Sequence, residues 1–178
     1  MKKSTYLMLL MLGIFAFTNS CKKSILDVNE EFYISTSMVV VGSNAAFTGE
    51  ELLDAVAESD LIDKYASHIK SIEILEVKYY VSYFNGTLTQ KINNGVFSIA
   101  DANGNGVYQM ASVSDINLSQ ATIESALSFN QTAVDKLSDL IKNDPHKAMV
   151  YLSGDVNETP VDFIVTLKFK IKMVAEVI

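Results

Sequence analysis

Along the last eighteen residues apolar side chains occupy every second position: Val161, Phe163, Val165, Leu167, Phe169, Ile171, Met173, Ala175 and Val177. Asp162, Thr166, Lys168, Lys170, Lys172 and Glu176 stand between them. Successive side chains on a strand point to opposite faces, so Val161–Ile178 reads as a strand with one face in the core and one in water. A slip of one residue would turn three lysines inward, and the pairing of this strand is therefore tightly specified. Phe32 to Val41 alternates in the same way and predicts a first strand ending near Gly42. Ser71 to Phe84 predicts a long strand with Glu73, Leu75, Val77, Tyr79, Val81 and Tyr83 on one face. Lys147 to Gly154 predicts another, joined to the last by a turn through Asp155 to Pro160.

Asn85-Gly86 reads as a hairpin turn, and Asn93-Asn94-Gly95 as a second turn leading into Val96 to Ile99. Two stretches switch to helical spacing. Ala133, Val134, Leu137, Leu140 and Ile141 recur at three- and four-residue intervals, which predicts a helix over Asn130–Lys142 stopped by Asn143, Asp144 and Pro145. Thr48-Gly49-Glu50-Glu51 has the letters of a capping box ahead of Leu52, Leu53, Val56 and Ala57, and predicts a helix starting there, with a further turn or two in Asp60 to His68. The pattern amounts to a mainly β chain with two or three short helices: a single-domain antiparallel β-sandwich, immunoglobulin-like in the loose sense. Periodicity alone does not set the strand order.

The amino terminus departs from this pattern. Lys2 and Lys3 precede an apolar run from Tyr6 to Phe17, and Thr18-Asn19-Ser20 then leads into Cys21, the only cysteine of the chain. The run is shorter than the ~20 residues that a spanning helix needs, and its layout is that of an export signal. Residues 1–20 therefore read as a signal peptide, 21–30 as a tether of mixed polarity, and 31–178 as the sandwich domain. With one cysteine there is no disulfide framework, zinc cluster or thiol nucleophile to expect in the mature fold.

The segment MKKSTYLMLLMLGIFAFTNSC resembles a bacterial lipoprotein signal. Ser20 before Cys21 fits that pattern, while Thr18-Asn19 departs from the commoner apolar residue followed by Ser or Ala. The resemblance is to small outer-membrane lipoproteins of Gram-negative bacteria and covers mainly residues 1–21. It implies cleavage before Cys21, acylation of the Cys21 sulfur by palmitate or a similar chain, and acylation of the new amine. Each buried methylene contributes about 0.8 kcal/mol, so several chains on one residue hold a protein on a bilayer. In that class Lys22, being other than Asp, implies delivery to the outer membrane. The lack of acidic residues in Lys22-Lys23-Ser24 implies the periplasmic face, surface display being the alternative. An ordinary cleaved secretory signal is the competing reading.

Charge and composition narrow the partners. The chain carries a formal net charge of −7 and contains no arginine and no tryptophan. Removal of residues 1–20 takes Lys2 and Lys3 with it and makes the protein more acidic still. Without arginine it lacks the forked donor that dominates recognition of phosphates and guanine edges, so nucleic acid is not an expected partner.

Few residues carry a chemical signature. His68 and His146 are far apart and lack metal-ligand spacing. Ser67 and Lys70 match a nucleophile motif by letters only, in a segment that reads as strand. Asp101, Asn103 and Asn105 with Gly106 fit the first half of a calcium loop, but Ser112 stands where the closing glutamate should be, so a plain turn is the default and no metal or other cofactor is expected. Tyr79, Tyr83 and Phe169 are the residues that would line a ligand cleft, with core packing as the competing role. Asp54, Glu58, Asp60 and Asp63 offer carboxylate pairs for a hydrolase only as an ordinary solvated helix face.

Three functional classes follow: a non-enzymatic envelope lipoprotein acting as a binding or interaction module, a carrier or receptor for a small apolar or glycan ligand, and, last, a hydrolase. The expected partners are the membrane, through the anchor, and an envelope protein or glycan.

Overall fold

The computed structural model describes residues 26–177. Its strands are β1 (Leu26–Gly42), β2 (Ala46–Asp54), β3 (Ile69–Phe84), β4 (Lys91–Asp101), β5 (Tyr108–Asn117), β6 (Ser125–Ala126), β7 (Lys147–Val156) and β8 (Val161–Val177). Three helices join them: α1 (Ala55–Glu58), α2 (Asp60–Tyr65) and α3 (Gln131–Lys142). The strands form two four-stranded antiparallel sheets, in the orders β1-β8-β3-β6 and β2-β7-β4-β5.

β8 is the spine of the first sheet. It pairs with β1 from Leu26↔Val177 to Gly42↔Val161 and with β3 from Ile69↔Ala175 to Phe84↔Phe163. Its inner side chains from Val161 to Ala175 are buried, as the alternation requires, while Lys168, Lys170 and Lys172 stay partly exposed on the outer face. Phe97, Phe163 and Phe169 fill the space between the sheets, and Phe47 meets Phe163 edge to face at 5.5 Å.

The β1–β2, β3–β4 and β7–β8 connections each cross from one sheet to the other, whereas β4 and β5 form a hairpin within one sheet. This order makes two interleaved Greek keys, so the expected antiparallel sandwich is present in its jelly-roll form. The antiparallel register also sorts the connections by pole. The start of β1, α1, α2, the β4–β5 turn and the end of β8 share one pole; the segments 43–45, 85–90 and 157–160 share the other.

Several local expectations are corrected. Thr48 to Asp54 is strand, not helix. β2 pairs with β7 throughout, and this long-range ladder outweighs the letters of a capping box. Asp54 is the residue that caps: its side chain accepts from the Ala57 amide at 3.3 Å to start α1. Leu26 is already paired with Val177, so residues 26–30 belong to β1 and not to a tether.

Asn85-Gly86 does not close a hairpin, because β3 and β4 lie in different sheets, and Asn93-Asn94-Gly95 lies inside β4. In β3, register shifts near Ser71, Glu76 and Tyr83 change the inward parity. Ile72 and Ile74 therefore point inward together with Val77 and Val81, and Glu73 and Leu75 point out. α3 matches the prediction, with Asn130 accepting from the Thr132 amide at 3.0 Å as its N-cap.

Candidate functional site

The outer face of the second sheet carries an open cleft of about 640 Å³. Its floor is a cross-strand row: Glu50 on β2 stands opposite Tyr151 on β7, and Tyr151 stands opposite Ser98 on β4. One step toward the far pole, Thr48 stands opposite Ser153. Residues two apart on a strand share a face and directly opposed residues have Cβ atoms about 5 Å apart, so these five side chains form a small polar grid. Val39 and Val107 border it.

Two glycines build its walls. A Cβ at Gly49 would lie 2.9 Å from the Val40 Cγ2 atom, so the bare backbone there lets the edge strands β1 and β2 approach and brings Val39 to the rim. Gly104 has φ +81°, and a Cβ on it would lie 2.9 Å from the Tyr151 hydroxyl. The β4–β5 turn thus closes over the tip of the tyrosine. Asp101 holds that turn in place, its Oδ1 accepting from the Asn103 and Asn105 amides at 2.9 Å each. These bonds, the Asn105 amide foremost, keep the Asp101 carboxyl below the usual aspartate range.

The sequence candidates fare differently. Asp101, Asn103 and Asn105 do come together, but as a self-fastened turn whose carboxylate faces backbone amides. Tyr79, Tyr83 and Phe169 do not form a cleft. Phe169 is fully buried between Ile34 and Val77 in register, Tyr79 packs toward Phe97 with ring centres 6.3 Å apart, and Tyr83 is 48% exposed on the outer side of the first sheet. Partial burial pushes the Tyr79 phenol up.

Of the carboxylates considered for hydrolysis, Asp54 is committed to Lys147 at 2.8 Å and to the α1 cap. The Lys147 hydrogen bond lowers its pKa, which is the opposite of what a general acid needs. His146 is buried with Nδ1 2.8 Å from the Ile141 carbonyl, and His68 has Nδ1 2.7 Å from the Ser67 hydroxyl. Among the described residues no three His, Cys, Asp or Glu side chains cluster as a metal site would require, and no helix is long and apolar enough to cross a membrane. Cys21 lies outside the described residues. The cleft residues themselves escaped the sequence reading. The outward pairs Thr48/Glu50 and Tyr151/Ser153 become visible only once β2 is known to be a strand beside β7.

No family model matches the chain. No curated protein matches it. Among solved structures it is similar to a chain of turnip yellow mosaic virus, with 11% identity and a TM-score of 0.42 over 87% of this chain and 84% of that one. A chain of desmodium yellow mottle tymovirus aligns at 10% identity and a TM-score of 0.35, covering 85% of this chain and 90% of that one. A carbohydrate-binding module of the β-sandwich superfamily aligns at 12% identity and a TM-score of 0.29, covering 84% of this chain and 55% of that one. Likenesses of this degree carry no functional inference, and the fold assignment rests on the strand order itself.

Proposed function

We propose that this chain is a non-enzymatic cell-envelope lipoprotein, anchored by acylated Cys21 on the periplasmic face of the outer membrane, whose sandwich serves as a binding module. The observation that carries this reading is the spacing between the signal-like segment and the fold. The apolar run closes at Phe17, three polar residues lead to the sole cysteine, and Leu26, only five residues after it, is already paired within β1. Five residues reach at most about 18 Å, so an anchor at Cys21 holds the α1–α2 pole against the bilayer and leaves the opposite pole facing away. Two acyl chains on one residue suffice for stable attachment without any spanning helix.

Between the module and carrier readings, the interior argues against storage of an apolar ligand. Phe97, Phe163 and Phe169 pack the space between the sheets, and Phe169, which would have lined a pocket, is part of that packing. The open cleft on the second sheet supports recognition at a surface instead. Membrane fractionation with alkyne fatty-acid labelling tests the anchor. Wild type should be labelled and sediment with membranes, and Cys21→Ala should be unlabelled and soluble. An unlabelled wild type would overturn it.

A further inference from the structure

We propose that the cleft of Glu50, Tyr151, Ser98, Thr48 and Ser153 binds an uncharged, polyhydroxylated ligand, a short saccharide segment, with the Tyr151 ring as its platform. The inference deepens the binding-module reading and rests on it. It starts from what these side chains are not doing. At several other places on the surface neighbouring polar groups clasp one another: Thr87 and Thr89 bond Glu158, Asn93 and Asn94 bond Asp155, and Lys170 bonds Glu31. Among the described residues, the five cleft side chains make no side-chain hydrogen bond or ion pair, although they stand side by side on three strands.

Their chemistry selects a ligand class. Four hydroxyls offer both donors and acceptors, and Glu50 adds a carboxylate that only accepts. A saccharide presents the complementary set, hydroxyls that donate to the carboxylate and exchange bonds with Ser98, Ser153 and Thr48. No lysine or histidine lines the cleft, and the chain as a whole is acidic, so phosphate, sulfate and carboxylate ligands meet an unfavourable field. Val39 and Val107 at the rim offer apolar surface to the C–H faces of a sugar ring. The volume lies within the range of small-ligand sites.

The turn from Asp101 to Val107 acquires a role in the same scheme. Its two Asp101 bonds and the bare Gly104 hold a wall over the Tyr151 hydroxyl, which fixes the ring in place before a ligand arrives. A platform immobilised beforehand loses less entropy on binding.

The test uses the full-length protein extracted in mild detergent and applied to an array of neutral, sialylated and sulfated oligosaccharides, with a lysine-rich peptide spotted alongside. Titration calorimetry follows with the best neutral glycan. Neutral glycans should bind and anionic ones should not. Tyr151→Ala should weaken binding by about tenfold, Glu50→Gln by at least about threefold, and Tyr33→Ala, on the outer face of the other sheet, should change nothing. Should Tyr151→Ala fail to fold, Glu50→Gln, at an exposed position, keeps the result decisive. Absence of neutral-glycan binding, capture of the peptide or anionic glycans alone, or binding that survives both substitutions would overturn the proposal. Labelling of Cys21 is scored separately, so a failed ligand assignment and a failed anchor are distinguishable.

Discussion

Phe169→Ala compared with Lys170→Ala probes the two faces of β8 one residue apart. Phe169 is fully buried, with Ile34 of β1 and Val77 of β3 as its cross-strand neighbours, themselves 2% and 1% exposed. Losing its ring forfeits a transfer term near the upper end of the roughly 1.5–3 kcal/mol for a fully buried side chain. The fixed β1 and β3 backbones prevent the sheet from collapsing into the gap, and the residual cavity brings the total to about 3–5 kcal/mol. Lys170 pairs with Glu31 at 2.7 Å, but both side chains are substantially exposed, and such pairs contribute little. Its loss should cost no more than about 0.5 kcal/mol. With a urea dependence near 2 kcal/mol per molar, the unfolding midpoint should fall by roughly 2 M for Phe169→Ala and by no more than about 0.3 M for Lys170→Ala. Far-UV circular dichroism during urea titration measures both. Equal midpoints for the two variants would refute the placement of β8 at the centre of its sheet.

Asn130→Ala removes the cap of α3 and should cost about 1 kcal/mol in the same assay, with no change in the sheet signal of the folded state. Asp54 has a folded pKa below its ordinary value because of Lys147 and the Ala57 amide. Its contribution to stability is therefore complete above the ordinary aspartate value and is lost as pH falls through the lowered folded value, so Asp54→Asn should flatten the decline in melting temperature below about pH 4. An unchanged acid limb in the variant would show that the pair contributes nothing. EDTA should leave the wild-type melting temperature unchanged, since among the described residues no cluster of acidic side chains surrounds the turn and Asp101 Oδ1 is already taken by two amides. A fall of several degrees would point to bound calcium in the turn.

The elements legible in the sequence are those whose burial is one-sided and uninterrupted. β8 alternates because β1 pairs with it in unbroken register and the extra residues of the β3 pairing all fall on β3, which leaves β8 itself without a bulge. α3 keeps its apolar stripe because it lies over the sheets and ends at Asn143. β3 departs from its sequence pattern because register shifts reverse which side chains point inward, and a strict period of two cannot follow a bulge.

β2 was hidden for a different reason. Thr48, Glu50, Glu51 and Leu52 are all exposed, so its letters carry a local helix signal and almost no core signal, and only the ladder to β7 makes it a strand. The cleft shares that origin. Glu50, Ser98 and Tyr151 are far apart in sequence and meet only through the pairings of β2, β7 and β4. Tyr79, Tyr83 and Phe169 were conspicuous by residue type, yet two of them serve the packing and the third faces out from the other sheet.

The chemical state of the amino terminus tests the attachment of the protein to the envelope most directly. Intact-mass and N-terminal peptide mass spectrometry of the full-length protein, expressed in a Gram-negative host and extracted with detergent, should give a chain beginning at Cys21 with the added mass of the acyl groups. A chain beginning at Met1, or one cleaved near Cys21 with no acyl mass, would contradict it.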